Sequence, residues 1–225
     1  MTPDDTKSRF RVGIDVGGTF NDFVLADGVT GRLVHHKEPS VPSDPSAAVE
    51  RGLAGLLAKA GVAATEVTGI VHGTTIALNA ILQRRGARIG LVISRGFGDT
   101  MELGRGGLPN SYNYKHPKQQ ALIPRDLVFE VGARLRPDGS QVMAPDGAEM
   151  AALAARIEVA RVDAIAVLVV NSYAHPKLES EVAADLRRRL PDVLVTGSAE
   201  LWPEIREYER ALVTSLNAYV HPLMS

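Results

Sequence analysis

The chain has 225 residues, 45% of them hydrophobic and 23% charged, with a formal net charge of −1: a globular composition long enough for one large or two small domains. That balance gives no electrostatic case for nucleic acid or an anionic membrane as a partner, and the longest clean apolar run, AIAVLVV, is far too short to span a bilayer. With no cysteine there are no disulfides or thiolate metal sites, and MTPDDTKSRF has no signal-peptide core, so the cytoplasm is the default location.

The stretch RVGIDVGGTFNDFVLAD (11–27) reads as two strands around a glycine turn. Val12, Ile14 and Val16 alternate with Gly13 and Asp15, and Phe20, Phe23, Val24 and Leu25 suit a returning strand. Gly17-Gly18 predicts a tight turn that uses the left-handed freedom of glycine. Such a turn leaves backbone N–H groups uncovered, and successive uncovered N–H groups form an anion-binding concavity with the Thr19 hydroxyl at its lip. Asp15 repels phosphate but can hold Mg²⁺, which is usually bound by a few carboxylates together with substrate phosphates. The alternative is an ordinary hairpin with a surface aspartate. There is no Walker P-loop, and GFGDTM (96–101) has Met101 where a dinucleotide fingerprint needs its third glycine.

RLVHHKEP (32–39) predicts a third strand, with the adjacent His35 and His36 on opposite faces. Asp44-Pro45 predicts a helix start, and Val49, Leu53, Leu56 and Leu57 its apolar face, with Gly61 as the stop. In GIVHGTTIALNAILQRRG (69–86) a short strand ends at His72, Gly73-Thr74-Thr75 turns the chain, and a helix begins at Ile76. Two hydroxyls at a helix start suit an anion, although either threonine can equally be a plain N-cap and His72 a core histidine. RIGLVIS (88–94) predicts a buried strand. Residues 95–147 read as a loop-rich insertion, in which DLVFEVGARLRPDGSQV suggests antiparallel strands joined at Pro137-Asp138-Gly139. A helix (148–160), a strand (164–170), a helix (176–190), a strand (193–198) and a helix (203–220) follow, a βαβ rhythm that implies a parallel sheet. In the last helix Ile205, Tyr208, Leu212, Val213, Leu216 and Val220 make one apolar stripe. Arg187-Arg188-Arg189 reads as a solvated helix end. The expected fold is α/β, laid out like half of an actin-like, sugar-kinase-type ATPase domain with a mixed sheet. Its parts would be a phosphate-binding segment (1–94), the insertion (95–147) and a βαβ continuation (148–225).

GIDVGGTFNDFV (13–24), VHGTTIALNAILQRRGARIGLV (71–92), GFGDTMELGR (96–105), NSYAHP (171–176) and PEIREYERALVTSLNAYVHP (203–222) occur in one order. Through them the chain resembles the N-terminal region of the hydantoinase A / 5-oxoprolinase family, which includes subunits of acetone and acetophenone carboxylases. The resemblance implies ATP-dependent phosphorylation of an amide-like or enolate oxygen, completed by a second, hydantoinase B-like subunit or domain. It implies that Asp15 positions Mg²⁺, that Gly17, Gly18, Thr19 and Gly73 cradle the phosphates of ATP, and that His72, Thr74 and Thr75 flank the transferring group. A cyclic amide would be the substrate, with Arg105, Tyr112 and Tyr114 in the likeliest specificity loop. Asn21, Leu78 and Asn171 depart from the residues usual in relatives. Leu78 loses any polar role, and Asn171 in place of histidine removes an acid–base group. Relatives run to several hundred residues and close their nucleotide site with a second half. The chain therefore reads as a fragment or one piece of a split protein, part of a hydantoinase/5-oxoprolinase-type amidohydrolase. A carboxylase subunit is the alternative, and a non-catalytic scaffold or regulatory module is the alternative of another class.

Overall fold

Phe10, Val12, Ile14 and Val16 alternate with polar or bare positions, and the structure, a computed structural model describing residues 9–41, 44–106 and 121–223, buries all four on one face. They belong to β1 (Phe10–Val16), which pairs antiparallel with β2 (Phe20–Asp27); β2 pairs antiparallel with β3 (Leu33–Pro39). Helix α1 (Pro45–Ala60) leads to β4 (Val67–Thr74), parallel to β1, and to the short helix α2 (Ile76–Leu82). The sheet order is β3-β2-β1-β4.

The Asp44 side chain caps α1 by accepting from the Ala47 N–H at 3.0 Å, and Gly61 ends the helix in the left-handed region at φ 69. Two glycines three residues apart let α1 lie on the sheet. A Cβ at Gly52 would stand 2.2 Å from the Phe23 ring, and one at Gly55 would stand 2.6 Å from Nε2 of His36. Leu56, Phe23, Leu25 and Val34 complete the core of this unit. His36 faces α1, and His35 lies on the opposite, exposed face, as adjacent strand residues must. Burying each large apolar side chain in this layer contributes about 1.5–3 kcal/mol.

Contacts divide the chain into Met1–Arg84 and Arg85–Ser225. The second unit begins at β5 (Ile89–Ser94), continues through the single turn α3 (Thr100–Leu103), and reaches β6 (Val128–Val131). A small hairpin of β7 (Arg134–Leu135) and β8 (Gln141–Met143) precedes α4 (Gly147–Ala160), β9 (Ala164–Leu168), α5 (Lys177–Arg189), β10 (Leu194–Gly197), α6 (Ser198–Leu201) and α7 (Glu207–Val220). The main sheet is parallel, in the order β10-β9-β5-β6. β5 and β9 are buried at every residue, as strands covered on both faces should be.

Four sequence expectations are corrected here. Ile89–Ser94, grouped by sequence with the opening hairpin, is a central strand of the second sheet. Val128–Val131 pairs parallel with β5; only β7 and β8 form an antiparallel ladder across the Pro137-Asp138-Gly139 turn. The stretch between β5 and β6 is long enough for a parallel crossover, and alternation within a four-residue strand does not reveal its direction. The helix expected over 203–220 begins only at Glu207, as α7, after Arg206 at φ 90; the separate turn α6 ends before it at Leu201. Finally, α7 buries Arg210, Ala211, Thr214, Ser215 and Ala218, while Ile205 and Val213 of the expected apolar stripe are exposed.

A polar network explains the inversion in α7. Glu179 is buried and accepts from the N–H of Val169 (2.7 Å) and Ala199 (2.6 Å) and from the hydroxyls of Ser172 (2.6 Å) and Ser198 (2.8 Å). Arg210, also buried, donates to Ser172 Oγ and the Val169 carbonyl at 2.9 Å and to Glu207 at 2.6 Å. Glu207 in turn accepts from the N–H of Asn171, itself at φ 65. Groups this deep need such partners, so the helix turns Arg210 inward, on a face it shares with Ala211, Thr214, Ala218 and Tyr219.

Candidate functional site

The β1–β2 register pairs Val16 with Asn21, which leaves Gly17 to Thr19 as the connection. Gly17 N–H donates to the Phe20 carbonyl at 3.1 Å. The end of β3 braces the turn. Ser40 N–H donates to the Thr19 carbonyl at 3.0 Å, and its hydroxyl donates to the Gly17 carbonyl at 2.8 Å and lies 3.0 Å from Asn21 Oδ1. Gly18 N–H, Thr19 N–H and the Thr19 hydroxyl are left without a partner among the described residues. Two adjacent backbone donors of the turn are therefore free among the described residues, as the uncovered turn read from sequence requires.

Neither Gly17 nor Gly18 has a positive φ, so the left-handed freedom invoked from sequence is not why they are glycines. Space is the reason at Gly17, where a Cβ would stand 2.6 Å from the Phe20 carbonyl oxygen. At Gly18 a Cβ would stand 3.4 Å from Nδ2 of Asn79. Asn79, on α2, donates to Thr75 Oγ1 at 3.3 Å, so its amide sits beside the turn, a neighbour that sequence reasoning missed.

Asp15 lies on the exposed face of the sheet, opposite the α1 core, because it is one residue out of phase with Ile14 and Val16. The registers place it in one cross-sheet row: Lys37 of β3, Asp22 of β2, Asp15 of β1 and Gly73 of β4. The neighbouring row is His35, Val24, Gly13 and Val71. Together with Lys59 these residues line an open groove of 640 Å³. A Cβ at Gly73 would meet nothing within 4 Å, so the space beside Asp15 is clear. Counting back through the hairpin from the Val16–Asn21 pair would have revealed Asp22 as Asp15's cross-strand partner.

His72 shares its row with Ile14 and so belongs to the other face of the sheet from Asp15. Thr74 Oγ1 donates to the Val16 carbonyl at 3.3 Å and accepts from Ile76 N–H at 3.2 Å, tying the start of α2 to the end of β1. Thr75 N–H donates to the same carbonyl at 3.2 Å. The Ile76 bond occupies the first donor of α2, which has only seven residues. Gly73, Thr74 and Thr75 thus gather beside the Asp15 end of β1. Arg105, in the second unit, pairs with Glu209 of α7 at 2.6 Å. Tyr112 and Tyr114 lie outside the described residues.

Residues 11–190 match the family model described as "Hydantoinase/oxoprolinase N-terminal region". The chain belongs to the hydantoinase/oxoprolinase family. It is 36% identical to the caprolactamase subunit alpha of Pseudomonas jessenii, a match covering 97% of this chain and 32% of that one. The crystal structure of ATP-dependent caprolactamase from the same organism superposes with a TM-score of 0.81 over 95% of this chain. The nucleotide-free structure of acetone carboxylase, which carries out ATP-dependent acetone carboxylation, is 26% identical and superposes with a TM-score of 0.84, covering 95% of this chain and 32% of that one. The chain thus spans about a third of the length of the relatives it matches. The expected mixed α/β fold is present, and among the described residues no helix is long and apolar enough to cross a membrane.

Proposed function

We propose that this chain is the phosphate-binding N-terminal part of an ATP-dependent amidohydrolase that activates a cyclic amide by phosphorylating its oxygen, and that its first unit is of the actin-like ATPase type. The observation that carries this reading is the pair of free N–H groups at Gly18 and Thr19 beside the exposed carboxylate of Asp15. Free donors on a bare turn suit phosphate oxygens, and an outward carboxylate with open space beside it suits Mg²⁺. Mg²⁺-ATP, when bound, supplies the phosphoryl group and neutralises its charge. Gly18 and Thr19 would donate to phosphate oxygens, with the Thr19 hydroxyl as a third donor. Asp15 would hold the metal, directly or through water. Gly17 and Ser40 would keep the turn rigid, so that its donors need no rearrangement as charge develops. Thr74 would fix the start of α2 beside the turn, with the Thr75 hydroxyl next to it. The rest of the site, and a hydantoinase B-like partner that completes ring opening, would come from outside this chain.

The 36% identity to a caprolactamase subunit favours the amide branch. The fold match to acetone carboxylase keeps a carboxylase subunit as the second reading. A substrate panel separates them. Phosphate release from Mg²⁺-ATP by the intact protein should rise with a lactam, hydantoin or 5-oxoproline and stay at background with acetone or acetophenone plus bicarbonate. The reverse pattern would assign the chain to the carboxylases. No response to either set would favour a scaffold role.

A further inference from the structure

Lys37 shares the exposed sheet face with Asp15 and has a geometry that a plain surface ion pair does not require. Its row reads Lys37, Asp22, Asp15 and Gly73 from β3 to β4. Asp15 and Asp22 stand directly opposite on antiparallel strands, an arrangement of like charges that destabilises a sheet. Lys37 offsets only one of them, through a contact of 3.0 Å to Asp22 Oδ1. Its ammonium also lies 5.2 Å from the centroid of the Phe20 ring. Phe20 is the first residue after the turn and pairs with Pro39, two positions nearer the turn than Lys37's own row. The ammonium is thus drawn along β2 toward the free N–H groups of Gly18 and Thr19. Its ion pair contributes little to stability, because both partners are more than half exposed, at 56% and 57%.

We propose that Lys37 contacts the nucleotide phosphates, a role that rests on the reading of the 17–19 turn as their seat. The three charged groups of the row sum to −1. A divalent cation at the carboxylates reverses that sign, weakens the hold of Asp22 on Lys37, and leaves the ammonium to find phosphate oxygens. A lysine suits this part, as a compact point charge on a flexible stem. Asp22 keeps it near the turn until the nucleotide arrives.

The test is calorimetry of Mg²⁺-ATP binding to the intact protein at low and high salt, comparing wild type with Lys37→Gln, Lys37→Arg, Gly18→Val and the milder Gly18→Ala, each with its thermal midpoint measured without nucleotide. Lys37→Gln should keep the midpoint and bind Mg²⁺-ATP about tenfold more weakly at low salt, the scale of one lost charge-assisted hydrogen bond. The loss should shrink at high salt, and Lys37→Arg should restore most of the affinity. Gly18→Val should bind no nucleotide. If the Gly18 variants lose binding while Lys37→Gln matches wild type, the role of Lys37 is overturned and the turn stands. If the folded Gly18 variants bind as wild type does, the turn is not the phosphate seat and the Lys37 proposal falls with it.

Discussion

Asp15 and Asp27 sit at the two ends of one hairpin and show how position decides what a carboxylate does. Asp27 accepts from the N–H of Val29 at 2.9 Å and of Thr30 at 3.3 Å, and pairs with Arg9. The Val29 bond first, then the Arg9 and Thr30 contacts, hold its carboxyl well below the usual carboxylate range against the cost of burial. A group with a depressed folded pKa stabilises the fold above its unfolded pKa, near 3.9, and loses that contribution as pH falls toward the folded value. Asp27→Asn should therefore lower the thermal midpoint at pH 7, and the gap from wild type should close as pH drops below about 4, as a melting series would record. Asp15 has no comparable set of donors and stands exposed in the groove, so it is available for a ligand. The motif around Asp15 was legible in the sequence. The reason for its glycines was not, because a clash with the Phe20 carbonyl appears only once the turn is built.

At the scale of elements, α1 was readable almost end to end, since its Asp44 cap, Pro45 and Gly61 are local signals. What its glycines do depends on the sheet beneath. Gly52→Val would push a branched side chain into the Phe23 ring and should destabilise the protein by about 1–3 kcal/mol in urea unfolding, the range for overpacking. The last helix was the least legible element. An apolar stripe normally marks the buried face, but α7 buries Arg210, because Ser172, itself donating to Glu179, and the Val169 carbonyl, both distant in sequence, receive it. The motifs NSYAHP and REYER meet in this network, which fixes the loop after β9. Glu179→Gln turns one oxygen of a carboxylate that serves four donors into a donor itself and should cost about 1–3 kcal/mol by the same denaturation measurement, the penalty for an unsatisfied buried group. Arg187 ends its helix exposed, as expected, and from there donates to the Val195 carbonyl and pairs with Glu200, which holds that carboxyl below its ordinary range.

At the scale of the whole molecule, the parallel run from β9 to β10 was legible because it keeps strict βα alternation. The join between the two units was not, because a buried apolar strand such as β5 carries no mark of the sheet it enters. Family membership and the mixed α/β fold place this chain among relatives about three times its length, among them an ATP-dependent caprolactamase and an ATP-dependent acetone carboxylase. The central claim is that Asp15 and the turn after it hold Mg²⁺-ATP. Its most direct test is steady-state phosphate release by the intact protein with its best amide substrate, wild type against Asp15→Asn, over a range of Mg²⁺ concentrations and with thermal midpoints in parallel. The account predicts a fall in kcat/KM of about 10²-fold or more, the scale of losing a charge-stabilising group, with a midpoint that stays level or rises as the Asp15–Asp22 repulsion is relieved. Wild-type activity and Mg²⁺ dependence in a folded Asp15→Asn protein would contradict it.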